Sequence, residues 1–167
     1  MHYFLIGLPG SGKTTLGKQL AKKVNLPFLD TDKLIETQEG ISIDQIFSTK
    51  GEAYFRTLET KVLHSLASEE SSVISLGGGT PCFHNNMTLI LSLGQSIFLD
   101  VSPETLSERL MGDGGAQRPM IKGKNAEDVL LFLKGKRIER IPFYQQANFT
   151  LQNDFVQLQD LLNILHR

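Results

Sequence analysis

At 167 residues the chain has room for one domain with a single good core. Its 40% hydrophobic and 21% charged residues are those of an ordinary globular protein, and a net charge of −1 with no basic run argues against nucleic-acid or membrane partners. The single cysteine, Cys82, excludes an internal disulfide framework and points to a reducing, cytoplasmic setting.

Tyr3–Ile6 is a short β-prone apolar run, so the N-terminus enters a strand rather than a secretory signal. No apolar run approaches the length of a membrane span. Gly7-Leu8-Pro9-Gly10-Ser11-Gly12-Lys13-Thr14 follows, and Thr15–Val24 reads as an amphipathic helix with Leu16, Leu20, Ala21 and Val24 on one side. This is G-x-x-x-x-G-K-[ST] between a strand and a helix, the setting a phosphate-binding loop requires. Glycines let the backbone curl with its N–H groups inward, and the new helix adds the positive end of its dipole. Lys13 is placed to reach the β- and γ-phosphates, and the Thr14 hydroxyl to hold Mg²⁺.

Asn25-Leu26-Pro27 breaks that helix. A second strand starts at Phe28 and ends in Asp30-Thr31-Asp32. Alternation along a strand turns Asp30 and Asp32 the same way, at the end where open α/β sheets bind ligands. Beside a phosphate loop this assigns Asp30 to the Mg²⁺ shell and Asp32 to a substrate hydroxyl; the plainer alternative makes Asp32 the N-cap of a helix starting near Lys33. Residues 33–70 read as helical with one break. Ser42-Ile43-Asp44-Gln45 forms a capping box opening a short helix that carries Ile46 and Phe47, and Gly51 ends it. A longer helix runs over 52–67 with Phe55, Leu58, Val62 and Leu66 as its apolar stripe. Arg56 lies at helical spacing from Glu52 and Glu59. Pattern alone makes this a solvent-exposed ion pair; the other reading is an arginine fork for a substrate carboxylate.

Ser72–Leu76 is a third strand, apolar enough to be central, and it ends in Gly77-Gly78-Gly79. Three glycines cost backbone entropy, so their use is close approach of a small ligand to the main chain. Helix 85–93, strand 96–101 and a helix from Ser102-Pro103-Glu104 to Met111 follow. Residues 112–124 carry four glycines and a proline. Beyond a plain loop, their length and the Arg118-Pro119 pair suit a lid that closes over the nucleotide and brings Arg118 to the phosphates. Asn125–Arg140 is a capped helix whose basic end (Lys134, Lys136, Arg137, Arg140) needs no function beyond complementing the helix dipole, with Pro142 beyond it. A strand at 148–151 and an amphipathic helix over 154–166, with Phe155 on its apolar face, complete the chain. His2, His64, His84 and His166 form no metal spacing, and they and Cys82 read as structural.

Strands alternating with helices imply an α/β fold, a parallel sheet with helices on both faces. Together the phosphate loop, Asp30-x-Asp32, Gly51-Glu52-x-x-Phe55-Arg56-x-x-Glu59, Gly77-Gly78-Gly79, Arg118-Pro119 and Arg140-x-Pro142-x-Tyr144-x-x-Ala147 resemble the shikimate kinase family, in order and over nearly the whole chain. The resemblance implies a P-loop, nucleoside monophosphate kinase-like fold with a five-stranded parallel sheet. It implies one kinase domain over 1–167, with a substrate-binding subregion at 33–61 and a lid at 112–124. The implied activity is ATP-dependent phosphorylation of the shikimate 3-hydroxyl, with Mg²⁺ as cofactor, by a cytoplasmic monomer. By this match Gly10, Ser11, Gly12, Lys13, Thr14 and Thr15 hold the ATP phosphates. Thr14 ligates Mg²⁺, and Asp30 supports it through water. Asp32 binds the reacting hydroxyl and is the candidate base, while Lys13 and Arg118 stabilise the transferring group. Arg56 and Arg140 clamp the substrate carboxylate, Gly77, Gly78 and Gly79 approach the substrate, and Phe47, Phe55 and Glu59 shape its pocket. This reverses the plain readings of Arg56 and Arg140. One departure stands out: family lids often carry an arginine seven residues before the Arg-Pro pair, where this chain has Met111. Arg109 takes that nucleotide-side place if the lid is longer by two. Gluconate kinase, whose substrate also carries a carboxylate and hydroxyls, and a non-catalytic nucleotide-binding module are the alternatives; the Phe55-Arg56 motif and triple glycine weigh against the first, and intact Lys13, Thr14, Asp30 and Asp32 against the second.

Overall fold

The computed structural model describes residues 1–112, 121 and 123–165. Five parallel strands, β1 (His2–Ile6), β2 (Phe28–Asp30), β3 (Val73–Ser75), β4 (Gly94–Asp100) and β5 (Phe149–Gln152), form one sheet in the order β2-β3-β1-β4-β5. β1 is central, paired with β3 through Phe4 and Ile74 and with β4 through Phe4 and Ser96.

Strand alternation divides the core into two faces. Phe4, Ile6, Ile74 and Phe98 pack with α4 (Glu52–Leu66), α5 (Asn86–Leu93), α6 (Pro103–Met111) and α7 (Ala126–Tyr144). Leu5, Val73, Ile97 and Leu99 pack on the other side with α1 (Lys13–Val24) and α8 (Leu158–Leu165). Gly17 brings α1 close to the sheet: a Cβ there would lie 2.6 Å from the Phe28 ring. A third, smaller cluster joins α2 (Thr31–Glu39), α3 (Ile43–Lys50) and α4 through Ile35, Ile46, Phe55, Leu58 and Val62. The Ser42–Gln45 capping box opens α3 as expected, and Gly51, at φ 82°, ends it.

Four expectations change. Asp32 is not a strand residue: β2 stops at Asp30, whose carboxylate caps α2 by accepting from the N–H groups of Asp32 and Lys33. The N-cap is therefore Asp30, because its backbone is still extended while Thr31 begins the helix. Residues 33–70 contain two breaks before α4, at Gly40 and Gly51, the first a left-handed C-cap at φ 70°. α7 does not stop before Pro142 but runs through it to Tyr144; the one helical bond lost there belongs to the carbonyl of Ile138, an exposed residue open to water. Its basic residues consequently lie in mid-helix, and Arg137 forms a two-point ion pair with Asp100 at the end of β4. Last, α8 starts at Leu158, and Phe155 is 73% exposed rather than buried, since Asp154 is drawn away to the α6 N-cap residue Ser102. His2 is buried against the Leu66 carbonyl. Among the described residues no helix is long and apolar enough to cross a membrane.

Candidate active site

The carboxyl ends of β1, β2 and β3 open on one edge of the sheet, beside the point where the chain order reverses about β1. Open α/β sheets bind ligands there. A cleft of about 530 Å³ occupies this edge, a typical size for a small-molecule site.

Its floor is the loop between β1 and α1. Gly10 and Gly12 hold φ values of 85° and 94°, which side chains resist, and Gly12 caps α1. The first turn of α1 therefore presents its N–H groups and dipole to the cleft. Lys13 is buried, with its ammonium donating to the carbonyls of Gly7 and Leu8, each at 3.0 Å. The Thr14 hydroxyl donates to Asp30 Oδ2 at 3.0 Å and lies 3.3 Å from Ser75 Oγ. Thr14 and Asp30 thus offer hard oxygen donors beside the phosphate loop, the ligand type Mg²⁺ takes when substrate phosphates complete its shell. Among the described residues no group of three or more His, Cys, Asp or Glu forms a metal cage.

Asp32 stands in the first turn of α2, facing the same cleft. Its Oδ1 is buried and has no hydrogen-bond partner among the described residues. Burial, then the charges of Asp30 and Glu59, push its carboxyl up to about 6 against the opposing pull of Lys13. A carboxyl so placed is poised to accept a proton near neutral pH.

Arg56 is 9% exposed and Glu59 1%, so their pair is not the solvated one that pattern suggested. Arg56 Nε and Nη2 donate to Glu52 Oε1 at 3.1 and 2.8 Å, and Nη1 donates to Glu59 Oε2 at 2.8 Å. Among the described residues these three bonds leave two of the five guanidinium N–H groups, one on each terminal nitrogen. Guanidinium N–H groups suit a carboxylate. Arg140 enters the cleft from α7. One turn on, the Tyr144 hydroxyl donates to the Gly78 carbonyl at 2.5 Å, which ties this part of α7 to the glycine run.

Each glycine of that run backs onto charged side chains, Gly77 onto two. A Cβ on Gly77 would lie 2.6 Å from Asp32 Oδ1 and 3.0 Å from Glu59 Oε1, on Gly78 2.8 Å from Arg140 Nη1, and on Gly79 2.5 Å from Arg56 Nη1. The three glycines thus let four charged groups, Asp32, Glu59, Arg140 and Arg56, converge on one strand end. Phe47 and Phe55, with ring centroids 4.8 Å apart, form an apolar wall. Glu59 also accepts from Thr80.

The structure brings together nearly every residue singled out from the sequence. Gly10, Gly12, Lys13, Thr14, Thr15, Asp30, Asp32, Phe47, Phe55, Arg56, Glu59, Gly77, Gly78, Gly79, Arg109 and Arg140 all line the cleft. Ser11 does not: its hydroxyl is turned inward, buried and without a partner among the described residues. Arg109 donates to the carbonyls of Gly10 and Asp154, bridging the phosphate loop and the segment before α8. Arg118 and most of 112–124 lie outside the described residues. Sequence reasoning passed over Ser75, which no pattern distinguishes from its strand neighbours. It quoted Tyr144 without a role, although its spacing of four from Arg140 places both on one helical face. Cys82 is inert, burial pushing its thiol up to about 11.

A family model described as Shikimate kinase matches residues 9–165. The shikimate kinase of Bacteroides fragilis is 41% identical over 96% of this chain and 96% of its own length. Among solved structures, the shikimate kinase of Bacteroides thetaiotaomicron superposes with a TM-score of 0.93 at 38% identity, covering 100% of this chain and 99% of that one. The shikimate kinase of Acinetobacter baumannii, solved in complex with shikimate, superposes at 0.84 with 32% identity, covering 99% and 90%.

Proposed function

The chain belongs to the shikimate kinase family, and from that premise we infer that it transfers the γ-phosphate of ATP to the 3-hydroxyl of shikimate, giving shikimate 3-phosphate and ADP on the route to chorismate and the aromatic amino acids. The observation that carries this reading is the convergence of Asp32, Arg140 and Arg56 on Gly77–Gly79, beside the phosphate loop. A carboxylate-bearing polyol needs that set: cations for the carboxylate, a carboxyl for the reacting hydroxyl, and phosphate donors within one cleft.

In this reading ATP lays its phosphates over Gly10–Thr15, Lys13 leaves the Gly7 and Leu8 carbonyls for the β- and γ-phosphates, and Arg109 lies beside the nucleotide. Thr14 and, through water, Asp30 would hold Mg²⁺, which when bound would neutralise charge on the transferring phosphoryl group. Arg56 gives its two remaining N–H groups to the shikimate carboxylate, and Arg140 approaches it from α7. Phe47, Phe55 and Glu59 wall the ring. The 3-hydroxyl oxygen forms a bond to the γ-phosphorus while its proton passes to Asp32, and the bond to the β–γ bridging oxygen breaks with its electron pair leaving on ADP. Most of the acceleration comes from alignment and charge neutralisation, so Asp32 need not be a strong base. Arg118 adds a positive charge from the 112–124 lid, whose closure excludes water as a competing acceptor. The whole chain, 1–167, works as one kinase domain with 33–61 as its acceptor-binding subregion, a monomer in the cytoplasm.

ADP release by purified protein with Mg-ATP, measured with shikimate, gluconate and no acceptor, tests this. Turnover with shikimate alone is expected. Turnover with gluconate alone would discard the acceptor assignment and keep the nucleotide half, and silence with every acceptor despite ATP binding would discard catalysis.

A further inference from the structure

Behind Arg56 lies a ring that the reaction does not use. Arg56 Cζ sits over three aromatic rings, at 6.0 Å from the Phe47 centroid, 5.4 Å from Phe55 and 4.2 Å from Phe83. Phe47 and Phe55 line the cleft; Phe83, nearest to the charge, lies outside that lining. The chain goes to some trouble to put it there. Phe83 follows a 3₁₀ turn over Thr80–Cys82, and the next two residues, His84 and Asn85, both take left-handed backbone angles, φ 50° and 59°. Consecutive non-glycine residues in that region are strained and persist only when their surroundings over-determine them.

The restraints can be traced. Asn86, fully buried, donates its side-chain N–H to the Thr80 carbonyl at 2.9 Å, and its backbone N–H to the Phe83 carbonyl at 2.9 Å. The Thr60 hydroxyl lies within hydrogen-bond distance of Asn86 Oδ1 (3.0 Å), His84 Nδ1 (3.1 Å) and the Arg56 carbonyl (3.1 Å). Its single proton goes to one of these acceptors, and against His84 Nδ1 the donor is set by the ring tautomer. Thr60 is one turn beyond Arg56 on α4, so the strained turn is stapled to the helical turn that carries the arginine.

We propose that Phe83 is a positioning residue for acceptor binding: held by the 83–86 turn, its ring fixes the Arg56 guanidinium in the orientation that receives the acceptor carboxylate. This rests on the assignment of Arg56 to that carboxylate. Glu52 and Glu59 restrain the guanidinium through its N–H edges. A ring over its carbon restrains it by a different means, keeps water from it, and takes none of its hydrogen bonds to Glu52 and Glu59.

Steady-state kinetics of Phe83→Leu and Phe83→Tyr, each varied against shikimate and against ATP, tests the proposal. Leucine keeps the bulk and removes the π face; tyrosine keeps the face. Phe83→Leu should raise the shikimate KM about five- to ten-fold, with the ATP KM and kcat within about two-fold, and Phe83→Tyr should restore the wild-type value. In an Arg56→Lys background, Phe83→Leu should lose most of its effect. Wild-type behaviour of Phe83→Leu, an equal rise in both KM values, or additivity with Arg56→Lys would overturn the inference. An Arg56→Lys effect on shikimate without a Phe83 effect sinks this inference alone; a wild-type enzyme indifferent to shikimate sinks the acceptor assignment with it.

Discussion

Most of the nucleotide side of the cleft comes from one short stretch, Pro9 to Thr15, that works through main-chain N–H groups and a helix end, with Lys13 as its main charged side chain. The proposed acceptor side is scattered from residue 32 to residue 140 and relies on side chains: Asp32 on α2, Arg56 and Glu59 on α4, Arg140 on α7, all converging on three glycines. A phosphate is recognised by a field that any suitably curled backbone supplies. A particular polyol has to be told from its neighbours, and that takes individually placed charged and aromatic groups. Lys13 and Thr14 apart, the first design should tolerate side-chain change, whereas the second should fail at single positions.

The largest effect should come from Asp32→Asn, which keeps the shape and removes the proton acceptor. kcat should fall by about 10³, with the ATP KM little changed in the same assay. In the wild type, kcat/KM for shikimate should climb through about pH 6 as Asp32 ionises. Stability runs the other way. The folded carboxyl titrates near 6 and the unfolded one near 3.8, so the native state binds the extra proton between them and loses stability as pH rises through that window. At neutral pH Asp32→Asn should therefore stabilise the nucleotide-free protein by about 1–2 kcal/mol, allowing for solvent at the half-buried carboxyl, read as a Tm rise that vanishes below about pH 4.

Next in size is Arg56→Lys. It keeps a cation beside buried Glu59 but has no two-point fork, and should raise the shikimate KM about 30-fold with the ATP KM unmoved. Equal movement of both would erase the division between the two halves. Gly79→Ala is a smaller disturbance of the same group. Its methyl would displace Arg56 Nη1, and the shikimate KM should rise about ten-fold. Ser11→Ala should do least. Its hydroxyl has no partner among the described residues, so the ATP KM should stay within about two-fold. A ten-fold loss there would show that the phosphate loop relies on side chains after all.

The same contrast explains what could be read before any coordinates. The phosphate loop is local, so its spacing and flanking periodicity carried strand, loop and helix together, and the strands of the sheet were found to within a few residues. Asp32 was assigned to the cleft by the wrong route. Strand alternation put it beside Asp30, whereas a helix starting at Thr31 brings it there. Arg56 and Arg140 looked like surface charges because periodicity records which face of a helix is polar, not what another part of the chain presses against that face. Only the family resemblance moved them inward. The α7 helix was cut short at Pro142 because a proline bars a helix interior in general but tolerates a site near the end whose lost partner reaches water. Phe83 gave no signal at all: a lone aromatic in a loop becomes meaningful only when the turn lays it on Arg56.

The position of β1 in the middle of the sheet bears on how the protein is made. Tyr3 pairs with Val73, and His2 with Gly94, about 70 and about 90 residues further along. On a ribosome adding about 5–20 residues per second, that strand waits roughly 5 to 20 seconds before both neighbours exist. The most recognisable motif in the chain is therefore an early product that takes shape late. During that interval an apolar strand and a glycine-rich loop are without the two strands that flank β1 in the finished sheet.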